Sequence, residues 1–373
     1  MRHVARCTLA LAAVALGFSS AGAAAPAGPP TLAIGSAAPD FRLPGVDGKT
    51  HALADFREAD LLVVVFTCNH CPTAQAYEGR LKQLAADYKD KKVAVVAISP
   101  NDPLAVRPDE LGYSDVGDSL EDMKLRAKEQ AFNFPYLYDG ADQKVSRAYG
   151  PVTTPHVFIF DKARTLRYVG RIDDSDKPAA VTAPDTRNAL DALLAGKEVP
   201  AEKTRPFGCS VKWAAKRDAA KAAATKPEEV SLAPIDEAGV RALAKNDSKK
   251  LRLVNVWATW CGPCVGELPE FAAMNQMYRR RDFELVTLSL NAAEEKDKAL
   301  ALLKEKGVGG TNFIFDATNK TKLFDALDPE SSGALPHTVL IAPGGKVLYR
   351  KSGAIDPLEL RRAIVGYLGR TYK

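Results

Sequence analysis

LRLVNVWATWCGPC (251–264) runs from an apolar, β-like stretch straight into a C-x-x-C pair, and LLVVVFTCNHCP (61–72) does the same much earlier in the chain. Each pair is followed by apolar residues at helical spacing: Tyr77, Leu81, Leu84, Ala85 and Tyr88 after the first, Leu268, Phe271, Met274 and Met277 after the second. Another apolar strand follows each helix, VAVVAIS (93–99) and FELVTLSL (283–290). Later, VTTPHVFIFDKARTLRYVGRIDD (152–174) parallels ALPHTVLIAPGGKVLYRKSGAID (334–356). Both read as Pro-His, a strand, a short turn, a second strand and Ile-Asp, and an amphipathic helix closes each copy at about 184–195 and 357–369. The pattern predicts one α/β fold written twice, each copy a central mixed β-sheet flanked by helices. The first copy holds the longer loops, and SPNDPLAVRPDELGYSDVGDS (99–119) reads as an insertion.

A C-x-x-C loop closes so little chain that it stabilises a fold poorly as a staple. Chemistry is the better reading. Strand, C-x-x-C, helix places the first cysteine at a helix N-terminus, where free N–H groups and the helix dipole favour a thiolate. The second cysteine, one turn on, can resolve a mixed disulfide. Cys68 and Cys261 are therefore expected to attack, and to be the accessible cysteines, with Cys71 and Cys264 resolving. A shared zinc site is disfavoured, because each pair lacks two ligands and the pairs lie in separate copies. His70, between the cysteines of the first pair, can stabilise a thiolate in a way that Gly262 and Pro263 cannot. The first pair is thus expected to be the more oxidising, with electrons able to run downhill to it from the second.

The chain has 373 residues, 46% hydrophobic and 26% charged, enough for two cores and too apolar for wholesale disorder. Its net charge of +5 is too mild to argue for nucleic acid or anionic lipid as a partner. MRHVAR, the apolar run CTLALAAVALGF and the small residues SSAGAAA lay out a cleavable signal peptide over 1–25, and with it a secreted or periplasmic location. No later stretch is apolar enough to span a bilayer. The Ala/Lys-rich segment 212–229 reads as a solvated, partly helical linker between domains at 32–211 and 230–373.

WATWCGPC, Pro269 five residues after Cys264, and LPH at 335–337 resemble a thioredoxin-fold domain of the TlpA/ResA type. That resemblance covers about 230–373 and its motifs are specific. It implies a cis-proline at Leu335-Pro336 facing the disulfide, and a helix kink at Pro269. Where cytoplasmic thioredoxins carry a buried carboxylate six residues before the first cysteine, this chain has Asn255, so Glu267 becomes the candidate for an assisting base. The first copy is similar to the AhpC/TSA–redoxin branch of the same superfamily over about 32–213. It carries APDFRLPGVDGKTHAL (38–53), CNHCP, SPND, FPYLYD, RAYGPVTTPH, RIDD and GCSVKW. This implies Cys68 and Cys71 as the redox pair and Thr154-Pro155 as the cis-proline site. It departs from peroxiredoxins, which place a P-x-x-x-T-x-x-C setting around the peroxidatic cysteine; residues 61–65 are Leu-Leu-Val-Val-Val.

Several residues keep two readings. Cys209 is a third redox thiol or a packed residue beside Trp213; His156 and His337 lie near the disulfides or only bond the strand starts. Trp257 and Trp260 flank the second pair as an apolar rim or as packing. The expected protein is an exported thiol–disulfide oxidoreductase of two thioredoxin-like folds, without cofactor or metal, acting on cysteines of other exported proteins. The TlpA/ResA resemblance implies a reductant role on apocytochrome c or metallochaperone cysteines, supplied by a membrane-bound electron donor. Competing readings are a thiol peroxidase and a copper-binding chaperone that would use Cys68, Cys71 and a histidine, His70 or His156.

Overall fold

A computed structural model describes residues 28–140, 142–225 and 228–372. The signal-peptide segment 1–25 lies outside the described residues. Two sheets organise the chain. The first has five strands in the order Tyr136–Tyr138, Val93–Ser99, Leu61–Phe66, His156–Phe160, Leu166–Gly170. The first three run parallel, and the last two join antiparallel. The second has six strands in the order Ala233–Ile235, Thr311–Phe315, Phe283–Ser289, Leu251–Trp257, His337–Ile341, Val347–Ser352, again parallel up to the central strand and antiparallel beyond it. Both sheets are mixed, and each is flanked by helices, so the α/β reading holds.

The central strand of the first sheet is buried on both faces. Leu61, Val63 and Val65 pack into one apolar cluster and Leu62, Val64 and Phe66 into the other, which is why the stretch reads as continuous rather than alternating hydrophobicity. The active-site helices are Pro72–Tyr88 and Gly262–Tyr278, the latter with Pro269 inside it. The closing helices are Asp185–Leu194 and Pro357–Leu368. The segment 38–53 contains an antiparallel pair of short strands, Arg42–Pro44 and Thr50–Ala52.

The expectation of a solvated linker over 212–229 fails in its first half. Lys212 is buried with its ammonium 2.7 Å from Glu110, and Trp213 and Ala220 are buried too. The helix Arg217–Ala224 is tethered by Arg217 to Asp102 at 2.5 Å, and Gln276 of the second half donates to the Ala224 carbonyl. The insertion offers acids for both basic residues, and at Lys212 the pairing lets a lysine be buried, which composition alone does not reveal.

Candidate active sites

Strand register shows that the two C-x-x-C pairs are not equivalent. Leu61 pairs with Val93 and Leu251 with Phe283 at the start of each central strand, and Phe66 and Val256 pair with the histidines that follow the cis-prolines. Counting on from there, Cys261 corresponds to Cys71, not to Cys68. Helix starts agree: Cys261 is the N-cap of Gly262–Tyr278, its sulfur accepting from the Cys264 N–H, and Cys71 is the N-cap of Pro72–Tyr88, its sulfur accepting from the Ala74 N–H. Ala74 thus occupies the place of Cys264, and Cys68 lies one step before the helix in the place of Ala258. The expectation that Cys68 caps its helix is corrected. Pro72 provides the reason, since proline at the first helical position starts the helix after Cys71.

Cys68, Cys71 and Cys209 are free thiols, whereas Cys261 and Cys264 are joined as a disulfide. In the first site all three cysteines gather around Thr154, two by their sulfurs and one by its backbone. Cys68 Sγ is 3.1 Å from Thr154 Oγ1, and Cys71 Sγ is 3.3 Å from the Thr154 carbonyl oxygen. Cys209, on a two-residue strand paired opposite Thr154, donates its N–H to Cys71 Sγ at 3.4 Å. The Thr154-Pro155 bond is cis, as is Leu335-Pro336. Burial opposes a charge on Cys71. Even so, the Cys209 and Cys68 thiols turned toward it, the His70 charge and the Ala74 N–H together hold its pKa well below the usual thiol value. Cys68 goes the other way: burial first, then its contact with Cys71 and the Asp118 and Cys71 charges, hold it well above. The two shifts are opposed, down at Cys71 and up at Cys68, which favours Cys71 over Cys68 as the attacking sulfur.

The inserted loop builds this site. Asp118 Oδ1 accepts from the backbone N–H groups of Asn69 and His70, and its Oδ2 from Asn101 and His70 Nδ1. Burial works against a charged His70, but the Asp118 carboxylate outweighs it and raises the pKa. His70 Nε2 is buried, and among the described residues none bonds to it. Asp118 and Asn101 were not singled out from sequence, although SPND and DVGDS carry them.

A family model described as AhpC/TSA matches residues 34–169, and one described as Redoxin matches 220–363. The chain joins an AhpC/TSA domain to a Redoxin domain. Among curated proteins it is similar to the thiol:disulfide interchange protein HelX of Rhodobacter capsulatus. They are 28% identical over 49% of this chain and 82% of that protein. It is 30% identical to the thiol:disulfide interchange protein CycY of Rhizobium leguminosarum bv. viciae over 31% of this chain, spanning little more than half, 57%, of that relative. A crystal structure of an uncharacterized conserved protein from Geobacillus kaustophilus is 40% identical, covering 48% of this chain and 92% of that one with a TM-score of 0.44.

In the Redoxin domain the rim around the pair is open. Trp260 is 63% exposed and Gly262 and Pro263 are exposed, while Cys261 is nearly covered and Cys264 fully buried. Trp257 is entirely buried, so only Trp260 can form a rim. Asn255 donates its amide to Glu267 at 2.9 Å and to Thr338, and the Ile355 N–H reaches the other Glu267 oxygen. Burial raises the Glu267 pKa to about 7 against both bonds. His337 is turned to Asp328 and Ser352. His156, in the AhpC/TSA domain, accepts from the Val152 N–H and packs on Phe158, and burial lowers its pKa to about 4.

The AhpC/TSA site is covered, with every residue from Leu61 to Gln75 buried. A cavity of about 360 Å³ leads to it, lined by His70, Pro72, Tyr113, Cys209, Lys212 and Tyr372. The Redoxin domain supplies part of the cover. Arg280 pairs with buried Asp109 at 2.8 Å, and Arg370 with buried Asp115 at 2.5 Å. Arg281 donates to the Gly112, Leu368 and Gly369 carbonyls. The C-terminal end of Gly262–Tyr278 therefore lies at the first site and Cys261 caps the opposite end. At 1.5 Å rise over 17 residues, they are about 25 Å apart. Exchange needs sulfur to meet sulfur, so the expected downhill transfer between sites cannot run directly in this arrangement.

Proposed function

We propose that this thiol–disulfide oxidoreductase works through two unlike sites, attacking with Cys71 in the AhpC/TSA domain and with Cys261 in the Redoxin domain. Cys68 and Cys264 resolve. The carrying observation is that Cys71 and Cys261 cap the corresponding helices at the same register of two similar sheets. A helix N-cap gives a thiolate backbone donors and a favourable dipole, and a neighbouring thiol then releases the client. Thr154, whose hydroxyl and carbonyl meet Cys68 and Cys71, is assigned to client contact together with Pro155 and, in the second site, Leu335 and Pro336 at the matching cis bond.

The domains divide within 212–229, and the clients are cysteines of exported proteins. The relatives named as thiol:disulfide interchange proteins support this, as does the leader-like N-terminus. A role in cytochrome c maturation, with a membrane-bound donor, follows from the TlpA/ResA resemblance. Among the described residues no helix is long and apolar enough to cross a membrane. The test is trapping: Cys264→Ser should hold client proteins as mixed disulfides on Cys261, and Cys261→Ser should hold none.

One observation favours a second reading. Cys68, His70 and Asp118 offer ligand atoms within 4.8 Å of one another, all buried, and the Cys68 sulfur and the His70 ring nitrogen are donor types that copper takes once deprotonated. Metal analysis of anaerobically purified protein decides it.

A further inference from the structure

Cys209 sits where a resolving thiol would. Its strand pairs with Thr153–Thr154 in a register that puts Cys209 opposite Thr154, the residue before cis-Pro155. The approach is close enough to require glycine beside it. Gly208 has φ +139°, and a Cβ there would meet the Thr154 carbonyl oxygen at 2.1 Å. The Cys209 N–H reaches Cys71 Sγ, and its side chain packs on the cluster of Cys68, Cys71 and Ala74. Cys68 approaches Thr154 through the hydroxyl and Cys71 through the carbonyl, and Cys71 has both the Cys68 and the Cys209 thiol as neighbours. Of the three, only Cys209 is partly exposed, and it lines the cavity by which a small disulfide would enter.

We propose that Cys209 is a third exchange thiol of the AhpC/TSA site, so that Cys71 can close an internal disulfide with either Cys68 or Cys209. The proposal rests on the reading that Cys71 attacks. With a disulfide RSSR, the Cys71 thiolate attacks one sulfur, forms Cys71–S–S–R and releases RS⁻. The Cys209 thiolate then attacks Cys71 Sγ and releases the second RS⁻. Two cysteines are oxidised, one disulfide is reduced to two thiols, and the protons lost by Cys71 and Cys209 balance the two thiolates released. While Cys71 is charged, its sulfur beside Cys209, together with burial, keeps the Cys209 proton in place. Once Cys71 is in a mixed disulfide that charge is gone, and Cys209 can ionise when its attack is needed.

The experiment uses the full chain, reduced and then mixed with oxidised glutathione, with linkages mapped by peptide mass spectrometry. Two variants are compared, Cys68→Ser and Cys68→Ser/Cys209→Ser, each with a melting temperature close to the parent's. The single variant should reach an internal Cys71–Cys209 disulfide free of glutathione, and the double variant should stop with glutathione on Cys71. If the single variant keeps glutathione on Cys71 as long as the double variant does, with Cys209 still open to alkylation, the third-thiol role is overturned. No glutathione on Cys71 in the double variant would instead overturn the attacking role of Cys71, and this proposal with it.

Discussion

Asp118 Oδ2 lies 2.5 Å from His70 Nδ1, with both side chains out of contact with water. A carboxylate so placed keeps the imidazole protonated at Nδ1 and favours its charged form. The same carboxylate also holds the backbone of Asn69 and His70, so the loop between Cys68 and Cys71 takes its shape from a residue of the insertion.

Asp118→Asn should therefore act on sulfur chemistry without touching a sulfur. Weakening the His70 charge removes one of the influences that lower the Cys71 pKa, which should rise. Ultraviolet thiolate absorbance against pH, on protein with the Redoxin pair oxidised, reads it. An unchanged titration would mean that His70 does not act on Cys71.

The reduction potentials of the two sites should differ. Thiolate stabilisation by His70 at Cys71 favours the reduced state, whereas Gly262 and Pro263 offer Cys261 nothing comparable. Since one pKa unit corresponds to about 30 mV for a two-electron couple, the AhpC/TSA site should be more oxidising by at least about 30 mV. Equilibration with glutathione buffers and site-resolved mass spectrometry measures both in the intact chain, and equal values would count against the His70 argument.

Glu267 predicts a pH dependence of stability. Its pKa is raised to about 7 in the fold from an ordinary 4.5, so the folded state binds the proton more tightly than the unfolded one. Stability from this group is full below about 4.5 and is lost as pH rises through about 7. Glu267→Gln should be nearly neutral at low pH and stabilising above neutrality, by ~1–2 kcal/mol once solvent screening is discounted. Melting curves across that range decide it; a variant destabilised equally at every pH would show that the carboxylate's role is packing.

Arg281 ties the insertion to the C-terminal segment, and its guanidinium lies 3.8 Å over the Tyr113 ring. Arg281→Ala removes charge-assisted bonds to buried carbonyls and should cost about 2–3 kcal/mol. With the cover loosened, alkylation of Cys209 should speed up several-fold while exchange at Cys261 stays the same. Unchanged Cys209 labelling would show that the cover is held elsewhere.

The strands, helices and both Pro-His turns were legible because each element carries its own local pattern. The residue equivalence of the two C-x-x-C pairs was not. The motifs look alike, and matching them cysteine for cysteine misplaces the first by three residues. Pro72 was the available signal, a helix-starting proline directly after Cys71 that CGPC lacks in that position. Asp118 and Asn101 could not be placed on the site from spacing, since they reach it through a loop without periodicity. Glu267 was singled out because Asn255 replaces a carboxylate, but its burial against Asn255 depends on Thr338 of one strand and Ile355, three residues past the end of the next, meeting there.

The helix Gly262–Tyr278 carries Cys261 at one end and at the other leads into Arg280 and Arg281, which line the cavity of the first centre, so its length keeps the two centres apart. In electrical language the molecule is wired in parallel rather than in series. Each centre can be set to its own potential and recharged by its own donor, without one draining the other. Any current between them must travel on a diffusing client or await a swing of one domain about the linker. The fusion then contributes proximity: a client released at one end finds the other at a raised local concentration. Disabling one centre should leave the other's turnover intact.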